Sequence, residues 1–176
     1  MNKILILMFA LFSIGNHTND EFTTKSNFPL QKEIIKKEEP YDITFKVEKL
    51  KNNTYNFIIS MELEKDAHYV SPNSKGSYLG QFTMIMDKNT KLRMNEAFTE
   101  IPLSKESIDP WNGGPVNFVR EHTTYTKQFT ISDTNDFEVA GLVQFVIEPR
   151  CTLEKIHFKI TNTSGNIEIK QQNTNN

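Results

Sequence analysis

The chain contains a single cysteine, Cys151, within the segment VIEPRCTLEKIHFKI at residues 146–160. A thiolate is the reactive form of cysteine, and nearby positive charge favours it over the neutral thiol. The basic residues Arg150 and Lys155 lie close in sequence, and the imidazole of His157 follows on the same segment. The segment therefore makes Cys151 and His157 the candidate redox residues of the chain.

The sequence leaves four interpretations of this thiol open. Cys151 either packs as a small apolar side chain or forms a mixed disulfide with another protein or a small thiol. It can also join two copies of the chain through a disulfide, or bind a metal together with His157, His68 or His122. Because no Met follows Cys151, the sequence lacks the axial ligand that is usual in a blue-copper site. We predict no metal site and no cofactor.

Other catalytic motifs do not occur in the sequence. It contains no G-x-S-x-G, H-E-x-x-H, P-loop or G-x-G-x-x-G pattern. Enzymatic activity therefore stays open, and a non-catalytic role is favoured. The net charge of −2 argues against a nucleic-acid partner that is held through its phosphates.

The N-terminal residues have the composition of a secretory signal peptide. Lys3 precedes the apolar stretch ILILMFALFSI at residues 4–14, and polar sequence follows from Gly15 onward. This stretch is shorter than the roughly 20 apolar residues that span a bilayer as a helix. We predict a signal peptide over residues 1–15, with an uncleaved anchor or a buried helix as the alternative. The protein is then exported, to the periplasm or the extracellular space, and has no other membrane segment.

Composition also divides the remainder of the chain. Residues 16–40 are polar or charge-rich and indicate a leader or linker that ends at Pro40. Residues 171–176, QQNTNN, indicate a disordered tail. Because the chain has 11% aromatic and 24% charged residues, the central residues 41–170 can form a single core.

Apolar and polar side chains alternate through much of residues 41–170, as they do in antiparallel sheets that are buried on one face. The alternating apolar positions are Ile43, Phe45 and Val47; Tyr55, Phe57, Ile59, Met61 and Leu63; Phe82, Met84 and Met86; Tyr125, Phe129 and Ile131; Phe137, Val139, Val143, Phe145 and Ile147; Ile156, Phe158 and Ile160; and Ile167 and Ile169. Turn compositions such as KNNT and TNTSGN separate these runs. The pattern predicts an all-β, immunoglobulin-like antiparallel sandwich of about seven strands. Gly141 interrupts one run, which indicates a bulge or a close backbone approach.

Residues 97–122 break the alternation and form a long connection. They include the only tryptophan, Trp111, three prolines and the pair Gly113-Gly114. Loops of this length are uncommon in compact domains unless they are functional. The segment either covers one end of the sandwich, with Trp111 packed on the core, or serves as a binding loop. In the second case Trp111 and Phe118 are the candidate binding residues.

The order of several segments resembles the N-terminal periplasmic domain family of the thiol:disulfide interchange protein DsbD. The matching segments are DAHYVSP at 66–72, GQFTMIM at 80–86, TTYTKQFTI at 123–131 and FEVAGLVQFVIEPRC at 137–151. The resemblance covers residues 41–170 and implies an immunoglobulin-like sandwich. It further implies a role in passing electrons from a membrane-embedded partner to periplasmic thiol proteins.

The resemblance also implies a pair of cysteines on neighbouring strands. Cys151 matches the first of them, and His157 stands in place of the second. Exchange within a dithiol needs an attacking and a resolving thiol, so this chain cannot complete that cycle alone.

Two functions are therefore expected from the sequence. The first is a non-catalytic exported module that binds a protein or small ligand through its sheet edges and the 97–122 loop. The second is a redox-linked accessory protein that uses Cys151 as a single exchangeable thiol. Where the partner is a protein, in either role, we expect a periplasmic protein.

Overall fold

β-Strands provide all the regular secondary structure in the part of the chain that the computed structural model describes. The described residues are 39–111, 113–132 and 135–172. They belong to one unit, Lys37–Asn176. The expected signal peptide at 1–15, nearly all of the leader at 16–40, and residues 173–176 lie outside the described part. None of the described residues forms a helix long and apolar enough to cross a bilayer.

The described residues form twelve strands. They are β1 Tyr41–Lys49, β2 Thr54–Leu63, β3 Tyr69–Val70, β4 Thr83–Met86, β5 Leu92–Met94, β6 Thr99–Ile101, β7 Glu106–Ile108, β8 Pro115–Val119, β9 Thr123–Ile131, β10 Phe137–Ile147, β11 Thr152–Thr163 and β12 Asn166–Gln172. The last strand extends beyond residue 170, where the sequence pattern placed the end of the domain.

Two antiparallel sheets form the layers of a sandwich. One has the strand order β1-β2-β9-β5, with β6 also paired to β9, and the other has the order β12-β11-β10-β4. A smaller third sheet has the order β3-β8-β7. The prediction of an all-β, immunoglobulin-like antiparallel sandwich is confirmed.

The long hairpins form where the sequence predicts them. The β1–β2 turn contains Asn52 and Asn53 at φ 55° and 56°, and the β11–β12 turn contains Ser164 and Gly165 at φ 53° and 84°. Asparagine and glycine tolerate these left-handed conformations well, so the turn residues set the register of both hairpins. The alternation of buried and half-buried residues along most of β2 follows from that register.

Aromatic rings from both main sheets pack together in the core. The rings of Phe57 and Phe158 lie 5.1 Å apart between centroids, and Phe45 lies 5.3 Å from Phe158. Phe82 stacks on Tyr125 at 4.9 Å. Each such ring buries a large apolar area, and offset or edge-on contacts add to that stabilisation. The interior between the sheets is therefore mainly aromatic.

The expectation that residues 97–122 form a connection without strands was wrong. They contain β6, β7 and β8, each of only three to five residues. Strands this short do not complete enough periods to show alternation in the sequence.

A buried carboxylate explains how β6 is held in place. Glu100 is 6% exposed and accepts hydrogen bonds from Ser71 Oγ at 2.6 Å and Asn73 Nδ2 at 2.9 Å. The backbone amide of Ser104 also donates to this carboxylate, at 3.3 Å. A charged residue at an inward position masks the strand pattern, although the polar partners compensate its burial.

Gly141 marks a close approach and not a bulge. The β10–β11 register is continuous through the pair Gly141 and Phe158. A Cβ atom on Gly141 would lie 2.3 Å from Phe158 Cζ and 2.7 Å from Met86 Sδ. The glycine therefore makes room for two core side chains on the neighbouring strands.

Candidate functional site

Cys151 lies in the turn that joins β10 to β11. This turn follows the pair Ile147 and Thr152, and Cys151 adopts φ 52°, in the left-handed region. The side chain is free and exposed. The interpretation of Cys151 as a buried small apolar residue was therefore wrong, because the turn directs it to solvent.

His157 does not lie beside Cys151. It pairs with Leu142 on one side of β11 and with Gln172 on the other. Thr152 and His157 are five residues apart along β11, which corresponds to roughly 16 Å at about 3.3 Å per residue, and Cys151 precedes Thr152 in the turn. The expectation that His157 faces Cys151 from a neighbouring strand was wrong, because Cys151 lies in the β10–β11 turn and His157 lies within β11.

The positive charge of Arg150 is engaged by carboxylates. Its guanidinium donates to Glu39 at 2.6 Å and to Glu154, which also accepts a bond from the Tyr41 hydroxyl at 3.0 Å. The bond to Glu39 raises the pKa of Arg150, and the bond to Glu154 adds to this effect. Arg150 thus fixes the base of the β10–β11 turn, and its charge is compensated by two carboxylates rather than directed to the thiol.

The other two histidines considered as metal ligands contact residues other than Cys151. His68 Nδ1 lies 3.2 Å from the carbonyl oxygen of Asp66, and His122 Nδ1 lies 3.7 Å from Glu62 Oε1. Within residues 39–111, 113–132 and 135–172, no group of three or more His, Cys, Asp or Glu is arranged to hold a metal ion.

Trp111 occupies the tip of the β7–β8 hairpin. The Asp109 amide donates to the Gly114 carbonyl at 2.7 Å, and the Asp109 carboxylate accepts a bond from the Trp111 amide at 2.8 Å. Gly113 adopts φ 69°, which glycine accommodates without strain. The tip is therefore held by hydrogen bonds within the turn itself. Trp111 is 89% exposed, so the expectation that it packs on the core was wrong.

A cleft of about 1000 Å³ lies beside this hairpin. Its floor is one face of the small β3-β8-β7 sheet. Val116, Phe118 and Arg120 project to that face because alternate residues of a strand share a side. Val70 pairs with Phe118 and Ser107 pairs with Val116, so these neighbours share the same face. The sheet thus supplies a rigid, largely apolar floor.

The segment of residues 76–80 forms one wall of the cleft. It is fastened to β10 by the Val146 amide, which donates to the Gly80 carbonyl at 2.8 Å. A Cβ atom on Gly80 would lie 2.2 Å from Val146 Cγ2, so only glycine permits this approach. The neighbouring Leu79 is left fully exposed.

The end of the cleft where β8 finishes carries Arg120, His68 and Glu148. The guanidinium of Arg120 lies 5.1 Å from the centroid of the Phe118 ring, and the His68 ring meets the same ring edge-on at 5.3 Å. His68 and Glu148 exchange backbone hydrogen bonds of 3.1 and 2.9 Å. The Phe118 ring therefore contacts both a cation and an imidazole at one end of the cleft.

Two buried tyrosines lie beneath the cleft. The hydroxyls of Tyr69 and Tyr125 are 2.9 Å apart and hydrogen-bonded. Burial raises the pKa of both hydroxyls far above the ordinary value, so both stay neutral at physiological pH. The pair fixes the position of β3 against β9 and offers no charge to a ligand.

The structure brings the two candidate binding residues, Trp111 and Phe118, into the lining of one cleft. Sequence reasoning missed Leu79 and Arg120, which line the same cleft. The segment SKGSYLG at residues 74–80 carries a weak signal, because its glycines and serines indicate a loop. The sequence around Arg120 carries no such signal, because only the fold shows which arginines have a carboxylate nearby.

Comparisons with known proteins find a likeness in structure but none in sequence. No family model matches the sequence, and no curated protein matches it either. Among seven matching chains of solved structures is the crystal structure of the Neisseria meningitidis DsbD N-terminal domain in the reduced form. It is similar to 72% of this chain over 90% of its own length, with 7% sequence identity and a TM-score of 0.42. Membership of that family stays a prediction from the sequence.

Proposed function

We propose that this chain is an exported, non-catalytic β-sandwich module that binds a protein or small ligand in the cleft beside Trp111. The observation that carries this proposal is the exposure of three large apolar side chains around one concave site. Leu79, Ile108 and Trp111 are 103%, 74% and 89% exposed and all line the cleft. Clustered apolar side chains around a rigid concave site are typical of binding surfaces.

The support for export comes from the N-terminal sequence. Lys3 and the apolar residues 4–14 have the order and length of a signal peptide. The environment proposed for the binding module is the periplasm, with the extracellular space as the alternative.

An uncharged apolar probe tests the binding proposal. We expect N-phenyl-1-naphthylamine to bind saturably to the full chain, with an increase in probe fluorescence. Leu79→Ser removes an apolar wall residue and should weaken binding about five- to tenfold. Leu50→Ser makes the same change at an exposed position in the β1–β2 turn and should leave binding unchanged. Absence of saturable binding, or equal loss in both variants, would contradict the proposal.

A second candidate function rests on the exposure of Cys151 at the hairpin turn. In this role the thiolate attacks a partner disulfide, forms a mixed disulfide and releases one partner thiol. Pro149, which lines the cleft, lies two residues before Cys151 in the same turn. A partner held in the cleft would therefore reach the thiol through a short path along the turn.

Oxidised glutathione tests this second function. We expect the native chain at neutral pH to gain one glutathione, observed by mass spectrometry, with release of one reduced glutathione. Cys151→Ser should gain none, and the native adduct should disappear on reduction. If the native protein remains unmodified over hours while the unfolded chain reacts, single-thiol exchange is wrong.

A further inference from the structure

The cleft beside Trp111 carries large exposed apolar side chains at the Trp111 end and a cation and an imidazole at the other end. The Trp111 turn leads into β8 at Pro115, and the strand runs along the floor to Arg120. Five residues of strand correspond to about 16 Å at the usual rise per residue. Leu79 and Ile108 are further apolar wall residues of the groove, whereas Arg120 and His68 share the Phe118 ring at its other end.

The charge at the polar end is available to a ligand. Arg120 is exposed, and no carboxylate among residues 39–111, 113–132 and 135–172 forms an ion pair with it. The Phe118 ring already restricts the position of this guanidinium. Binding an anion therefore costs less side-chain conformational entropy. A planar guanidinium matches a carboxylate geometrically through two parallel hydrogen bonds.

The two acidic residues that line the cleft stand in different situations. Asp109 lies near the Trp111 end, is 6% exposed and accepts the Trp111 amide, so its carboxylate belongs to the turn. Glu148 lies near His68 and is half-buried. Glu148 is therefore the group that would oppose an anion at Arg120, and its removal should strengthen anion binding.

We propose that the cleft binds a small elongated amphiphile, with its apolar body under Trp111 and Leu79 and a carboxylate head on Arg120. This proposal rests on the binding function proposed above and adds the chemical class of the ligand. The apolar end supplies affinity through area removed from water, and Arg120 selects the head group. Length and charge together distinguish this ligand from a compact apolar molecule.

Three probes with the same tail and different head groups test the proposal. Decanoate, decanol and decyltrimethylammonium are titrated into the full chain below the concentrations at which they form micelles. Trp111 is the only tryptophan, so its emission reports occupancy at the apolar end, and calorimetry gives the affinity. We expect decanoate to bind about tenfold more tightly than decanol. Decyltrimethylammonium should bind most weakly.

Matched variants identify the group that selects the head. Arg120→Gln should weaken decanoate about tenfold and leave decanol unchanged. Arg93→Gln, an exposed arginine of β5 outside the cleft, should change neither affinity. Glu148→Gln should tighten decanoate binding. Thermal denaturation establishes that each variant is folded.

The outcomes separate this proposal from the function on which it rests. If none of the three probes binds, both the amphiphile proposal and the cleft as an apolar binding site are overturned. If decanol equals decanoate, or Arg120→Gln leaves decanoate unaffected, the cleft still binds apolar groups and only the carboxylate selection is wrong. Preference for decyltrimethylammonium would also overturn it and would assign the head group to Glu148.

Discussion

Replacing Phe145 by alanine is expected to lower the free energy of unfolding by about 3–5 kcal/mol. The Phe145 side chain is fully buried on β10. Its ring meets Tyr41 edge-on at 5.0 Å and lies 5.4 Å from Tyr69 and 5.8 Å from Phe82. Truncation removes these contacts and leaves a cavity that aromatic neighbours on several strands cannot fill by small movements. Urea denaturation followed by far-ultraviolet circular dichroism measures the change.

Trp111→Ala is the matched control for this experiment. It is also an aromatic-to-alanine change, but the side chain is 89% exposed at the tip of the β7–β8 hairpin. Its effect on the free energy of unfolding should stay within about 0.5 kcal/mol. Similar losses for the two variants, or a loss below about 1 kcal/mol for Phe145→Ala, would be inconsistent with an aromatic core shared by the two main sheets.

Gly141→Ala is expected to destabilise the fold by about 1–3 kcal/mol, although it adds only one methyl group. The new Cβ would lie 2.3 Å from Phe158 Cζ and 2.7 Å from Met86 Sδ. The Met86 side chain is flexible and can move aside. The Phe158 ring cannot, because it is fully buried against Phe45 and Phe57. The strain therefore falls on the core and on the pairing of β10 with β11.

Gly114→Ala supplies the comparison for the glycine variant. The nearest atom to its added Cβ is the Tyr78 hydroxyl oxygen at 3.8 Å, an ordinary contact distance. We expect the free energy of unfolding of this variant to stay within about 0.5 kcal/mol of the native value. Chemical denaturation of both variants under the same conditions measures their free energies of unfolding. Equal stability of Gly141→Ala and the native chain would show that the Phe158 ring has room to move.

The long strands were predictable because burial on one face leaves a trace at every second residue. β2 and β10 show this trace over ten and eleven residues. The short strands left no such trace. β3 has only two residues, and the three residues of β7 are all exposed. Their pairing depends on partners far away in sequence, such as the bond from the Ser71 amide to the Asn117 carbonyl at 2.9 Å. Local patterning carries no information about such contacts.

The candidate site was predictable to a similar extent. Aromatic composition singled out Trp111 and Phe118, and the fold places both around one cleft. The expected approach of His157 to Cys151 failed because it needed the turn to fall midway between them, and the turn instead ends at Thr152. The role of Arg120 was not predictable, because the lack of an ion pair with any carboxylate of the described residues is a property of the surrounding fold. Only tertiary structure separates it from Arg150, which two carboxylates engage.

The small β3-β8-β7 sheet has a consequence for how related sequences can diverge. The side chains that rim its cleft, Leu79, Ile108, Trp111 and Arg120, are all exposed and outside the aromatic core. Substitutions at these positions carry little folding penalty, whereas Phe145 and Gly141 tolerate almost none. Substitutions that accumulate during evolution can therefore change which ligands the cleft binds while the sandwich keeps its fold. We expect related proteins to share the core residues and to differ at the residues that line the edge of the cleft.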